Sequence, residues 1–106
     1  MGKKFIFITI ECLRNDSINL FNNSVNIETP FFNKIKNNSF IFPNYYATSS
    51  WTLPSFYSIF TSKYPNIIDG RITIKNEKTF IQDLSINDYF CIGLTGGGWL
   101  TKFFGF

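Results

Sequence analysis

Hydrophobic positions along this chain fall into two patterns. Residues 5–10 (FIFITI) and 89–94 (YFCIGL) are almost unbroken apolar runs rich in β-branched and aromatic side chains. Runs of that kind suit strands covered on both faces, as in a parallel sheet. Between them the spacing changes. Thr29-Pro30 ahead of FFNKIKN predicts a helix with Thr29 as N-cap and Pro30 in its first turn, stopping at Asn37-Asn38. Residues 39–49 (SFIFPNYYATS) read as a second strand, and Pro43 places it at an edge or a strand end. A second helix is predicted from about Leu53 to Ser62, broken at Tyr64-Pro65. A loop with a short strand at 72–74 (ITI) follows, and then a short helix over 79–84 capped by Thr79.

Strands alternating with helices predict an α/β fold, a mostly parallel sheet with flanking helices. A chain of 106 residues is enough for one small domain and not for two. No internal repeat or low-complexity linker divides it.

Composition narrows the function classes. Fourteen Phe and an apolar fraction of 44% provide material for a core, which argues against wholesale disorder. The net charge is +3, and its Lys and Arg residues are scattered. No stripe of the kind that tracks a phosphate backbone appears, so nucleic acid is not an expected partner, while a small anionic substrate is compatible. The start, MGKKFIFITIE, imitates a signal peptide. Its apolar run is only six residues long, however, and ends at Glu11 without a small-residue cleavage site. No run approaches a membrane span, and the expected location is cytoplasmic. Cys12 and Cys91 lack zinc-type spacing and lie in or beside apolar runs, which predicts buried free thiols. Three Asn-x-Ser sequons (Asn15, Asn22, Asn37) are expected accidents of an Asn-rich chain.

In open α/β sheets, chemistry gathers at the carboxyl ends of strands. Glu11 follows the first strand, Thr52 follows the second by a short loop, and Thr95 with its glycine triplet follows the last. Glu11 reads either as a ligand for a hard cation or as a carboxylate turned to solvent. Thr52 reads either as a helix N-cap or as a hydroxyl held where helix N–H groups favour an anion. The glycine triplet lacks the spacing and the lysine of a P-loop. With no histidine in the chain, no Ser-His or Cys-His dyad can form within it.

The order of these features is more specific than any one of them. FIFITIECLRND, then TPFFNKIKNNSFIFPNYYATSSWTLPSFYSIFTSKYP, then FCIGLTGGGWLTKFFGF resembles the N-terminal part of the sulfatase family in the alkaline phosphatase superfamily. The family pattern is an apolar strand ending in an acid with Leu-Arg-x-Asp after it. Thr-Pro and a helix, Phe-x-Asn-x-Tyr-Ala, the nucleophile motif and Thr-Gly-x-Tyr-Pro then follow. The resemblance spans nearly the whole chain and implies an alkaline-phosphatase-like fold. It places Glu11 at the first metal-binding acid and Thr52 at the nucleophile, itself beside the metal. Arg14 and Asp16 stand in Leu-Arg-x-Asp, with substrate contact or loop fixing as their alternatives, and Ser55 lies within the nucleophile motif with the same two alternatives.

Two departures shape what the resemblance implies. Threonine cannot be oxidised to the formylglycine of Cys/Ser-x-Pro-x-Arg, and Phe56 replaces the motif's arginine. Both argue against hydrated-aldehyde sulfatase chemistry. Threonine is the nucleophile in related phosphodiesterases, lipoteichoic-acid synthases and phosphoethanolamine transferases, and in the last two groups the first acidic ligand is a glutamate. The implied activity is therefore a metal-dependent hydrolase or transferase acting on phosphate or sulfate esters. The implied cofactor is a divalent ion (Ca, Mg, Mn or Zn) that this chain alone does not fully ligate. Further family ligands, typically an Asp-His pair, lie well downstream of the motifs seen here. Residues 1–106 are accordingly expected to be the N-terminal part of a sulfatase-like domain, with the C-terminal half missing or supplied by another chain or an oligomer. The alternative expectation is a catalytically inactive truncated remnant or a subunit of a split protein.

Overall fold

The structure is a computed structural model that describes residues 2–65, 72, 74, 76–96, 98, 100 and 101. The chain divides into two units, Met1–Tyr45 and Tyr46–Phe106.

In the first unit, a single 3-10 turn at Asn15–Ser17 precedes helix α1, Pro30–Ile35, which tightens into a second 3-10 turn at Lys36–Asn38. Pro30 opens α1 because a first-turn residue has no intrahelical use for an N–H. Thr29 occupies the N-cap position, as the Thr-Pro pair predicts, but its side chain does not cap. Its hydroxyl donates instead to the Asn19 side-chain oxygen, which also accepts from the Asn33 amide at 3.3 Å. Ile18 is the buried apolar residue of this unit among those described.

The second unit is organised by helix α2, Thr52–Thr61, and helix α3, Phe80–Ile86. Leu53 and Tyr57, one turn apart, share a face of α2 and pack with Ile72 and Ile74, while Phe60 covers the edge of that cluster. Phe60 also meets Phe80 with ring centroids 5.1 Å apart, which joins α2 to α3. The chain leaves α2 through Ser62, whose left-handed backbone (φ 58°, ψ 24°) lets its N–H reach the Ser58 carbonyl at 2.8 Å. Helix α3 starts with a capping box. Thr79 accepts from the Gln82 N–H, and the Gln82 side chain accepts from the Thr79 N–H at 2.9 Å. That start is the one the sequence predicts.

Among the described residues no strand is assigned. A strand is a paired object, and the two apolar runs read as strands lie uncovered here: Ile6 is 86% exposed and Leu94 95%. The expected burial of the thiols is corrected for the same reason. Cys12 and Cys91 are both exposed, since the runs beside them are not covered. The expected strand at 72–74 includes Thr73, which lies outside the described residues, as does Gly97 of the glycine triplet. No helix among the described residues is long and apolar enough to cross a membrane.

Candidate functional site

The residues singled out by the sequence belong to both units: Glu11, Arg14 and Asp16 to the first, Thr52 and Ser55 to the second. Each group is described within its own unit.

Glu11 is exposed and lies in a turn with Cys12, whose backbone is left-handed (φ 59°). Three residues on, Arg14 grips Asp16 with two parallel bonds. Nε donates to Oδ1 at 2.8 Å and Nη2 to Oδ2 at 2.5 Å. This fork geometry is the strongest arrangement open to a guanidinium and a carboxylate. The hydrogen bonds from Arg14 hold the Asp16 carboxyl below the usual carboxylate range; they outweigh the opposing effect of burial, and the guanidinium's charge adds less than either. The same bonds raise the Arg14 guanidinium above its ordinary value. The Asp16 carbonyl accepts from the Asn22 amide at 3.0 Å, and Asn15 donates to the Pro43 carbonyl at 3.4 Å. The Leu-Arg-Asn-Asp stretch is thus a loop braced by its own side chains.

Thr52 is the first residue of α2 and is half-buried. The expected N-cap alternative for Thr52 is corrected by one residue. Trp51 holds the cap position with an extended backbone (φ −143°, ψ 167°), and its side chain makes no capping bond. The following residues are firmly set. Leu53 is 3% exposed, and Pro54 is among the most deeply buried side chains, its missing N–H costing nothing in the first turn. Ser55 is half-buried, and its hydroxyl lies 3.0 Å from the Ser49 carbonyl and 2.9 Å from the Trp51 carbonyl, donating to them. Phe56, at the position of the family motif's arginine, is buried and packs against Phe60 at 6.0 Å. An aromatic ring there gives an anion no charged partner.

Sequence reasoning missed a polar cluster below this turn. The buried Tyr57 hydroxyl donates to Glu77 Oε1 at 3.0 Å, and Lys63 Nζ lies 2.6 Å from Glu77 Oε2. Tyr57 and Glu77 are twenty residues apart, so no local spacing reveals the pairing.

Among the described residues no group of three His, Cys, Asp or Glu side chains comes together in a way that could hold a metal ion. A divalent cation takes four to eight donors, so this donor set does not make a metal centre by itself. Asp69-Gly70, Trp99 and residues 103–106 lie outside the described residues.

No curated protein and no solved structure matches the chain. A family model does: Sulfatase, over residues 3–84. The match takes in Glu11, Arg14, Asp16, Thr52 and Ser55 together with α1, α2 and most of α3. Extending over well more than half of the chain, it shows that the chain belongs to the sulfatase family.

Proposed function

We propose that this chain carries the nucleophile of a sulfatase-like hydrolase or transferase of phosphate or sulfate esters, with Thr52 as the attacking residue. Family membership supports a hydrolase of ester substrates, and the family generally uses a divalent metal. The observation that carries the finer reading is the position of Thr52. It is half-buried at the first position of a ten-residue helix, between an extended Trp51 and a fully packed Leu53-Pro54. A helix start concentrates unsatisfied N–H groups and the positive end of the helix dipole, which favours an anionic ester next to that residue. Attack by the Thr52 oxygen on phosphorus or sulfur breaks the bond to the leaving oxygen, and the hydroxyl proton passes to solvent. Water or an acceptor alcohol then displaces the ester formed on Thr52.

Glu11 is proposed as one carboxylate ligand of the family's metal. Because the described residues do not assemble a full set, the other ligands must come from elsewhere in the polypeptide or from another chain. The surrounding fold is proposed to be α/β, with residues 5–10 and 89–94 as strands. The donor set also favours a second reading, a catalytically inactive chain or one part of a split protein.

The test is turnover of nitrophenyl phosphate, bis-nitrophenyl phosphate and nitrophenyl sulfate with Mn, Mg, Ca and Zn in turn, with mass spectrometry of the quenched protein. An ester on Thr52 in the wild type and a loss of about a thousandfold or more in Thr52→Ala are expected. Turnover that is equal in the two proteins removes Thr52 from the chemistry. No turnover and no adduct with any metal leaves the inactive reading.

A further inference from the structure

We infer that Ser55 is a positioning residue for Thr52, fixing the peptide plane from which the Thr52 side chain projects; the inference rests on the reading of Thr52 as the attacking group. The backbone turns sharply between the extended Trp51 and the helical Thr52. The main-chain bond that should secure this corner, from the Ser55 N–H to the Trp51 carbonyl, is long at 3.4 Å. The Ser55 hydroxyl supplements it, 2.9 Å from the same carbonyl and 3.0 Å from that of Ser49. A hydroxyl has one hydrogen, so it shares or alternates between the two acceptors. In either state residues 49–51 are folded back onto the first turn.

The Trp51 carbonyl belongs to the same rigid peptide unit as the Thr52 N–H. A bond to that oxygen therefore orients Thr52 directly. On the other side, Leu53 is packed and Pro54 has its φ locked by its ring. With both neighbours held, the backbone that carries the Thr52 side chain is fixed, and χ1 is itself stiff in a β-branched residue. A nucleophile displaced by about 1 Å can lose about a hundredfold in rate, so a hydroxyl that prevents the displacement contributes to turnover without touching the substrate.

The experiment uses the full chain, labelled with nitrogen-15, as wild type, Ser55→Ala and Ser55→Thr. Threonine keeps a hydroxyl that can donate to the carbonyl four residues back. The order parameter of the Thr52 amide is expected to fall from the rigid range, about 0.85, to below about 0.6 in Ser55→Ala and to stay high in Ser55→Thr. With an ester substrate, kcat is expected to fall about 10- to 100-fold in Ser55→Ala with KM unchanged, and to recover in Ser55→Thr. An unchanged order parameter in Ser55→Ala overturns the proposal. So does a Ser55→Thr protein that behaves like Ser55→Ala, or a Ser55→Ala protein that does not fold, since the bond would then hold the fold and not one residue. Wild type and Thr52→Ala turning over alike is a different failure. It removes Thr52 as the attacker, while the order parameter still decides whether Ser55 holds it.

Discussion

Leu53→Ala tests the packing on which the Thr52 turn depends. Leu53 is 3% exposed and shares its cluster with Tyr57, Ile72 and Ile74. Truncation removes three buried carbons, a transfer loss of about 2.4 kcal/mol at about 0.8 kcal/mol per carbon. Helix propensity changes little between Leu and Ala. The cavity left behind adds to the loss wherever neighbours cannot move in, and Leu→Ala in cores generally costs about 2–5 kcal/mol. Collapse is restricted here because Tyr57 is tied to Glu77 through its hydroxyl and Ile74 is fully buried. The expected loss is about 3 kcal/mol, or a fall of about 12–24 °C in Tm for a domain of this size. Urea unfolding followed by far-UV circular dichroism measures it. Ile86→Ala is the control, since Ile86 is also helical but 72% exposed, and a change within about 0.5 kcal/mol is expected there. Equal losses in the two variants, or a loss below about 1 kcal/mol in Leu53→Ala, would refute the packing of α2 against residues 72 and 74.

Ser62→Gly should stabilise the protein by about 0.5–1 kcal/mol, read in the same urea titration, because φ is 58° at this helix end and a left-handed backbone strains any residue with a Cβ. A destabilised variant would mean that the serine is not left-handed in solution. The Glu77 cluster predicts a pH window. Hydrogen bonds from Lys63 and then Tyr57 lower the Glu77 carboxyl, so its contribution to stability is present above the ordinary glutamate value and is lost as pH falls through the lowered one. Tyr57 is raised, by burial first and its bond to Glu77 second, and Lys63 is raised by its bond to Glu77. Their contributions are present below the ordinary Tyr and Lys values and are lost as pH rises through the raised ones. A carbon-13 titration of the Glu77 carboxyl should show a midpoint below the usual glutamate range that moves up in Lys63→Met; an identical midpoint in both proteins would remove the Lys63 bond.

What could be read from the sequence follows the range of each interaction. The start of α3 is legible because Thr79 and Gln82 lie three residues apart and complete each other's hydrogen bonds. The Thr29-Pro30 start is legible for its proline, while the destination of the Thr29 hydroxyl, Asn19, is ten residues away and is not. Thr52 was legible as the start of a helix and misplaced by one position, because the cap is formed by the backbone of Trp51, a residue without a capping side chain. Burial was the least legible property. Apolar runs at 5–10 and 89–94 announce surfaces that need a cover without saying what provides it, so the expected burial of Cys12 and Cys91 failed together with the cover. The candidate site divides the same way. Family membership was legible from the order of several short motifs, each ambiguous alone, and that order is the ground for proposing roles for Glu11 and Thr52 at positions a solvated acid or a helix cap would also occupy. The site's mechanics did not come from those motifs. Ser55 reaching back to two carbonyls is a matter of backbone direction at one corner, held by Leu53 packing on residues 72 and 74 and by the ring of the buried Pro54. A motif can therefore nominate a residue as the proposed attacker, while the packing around its helix determines whether that residue is held in place.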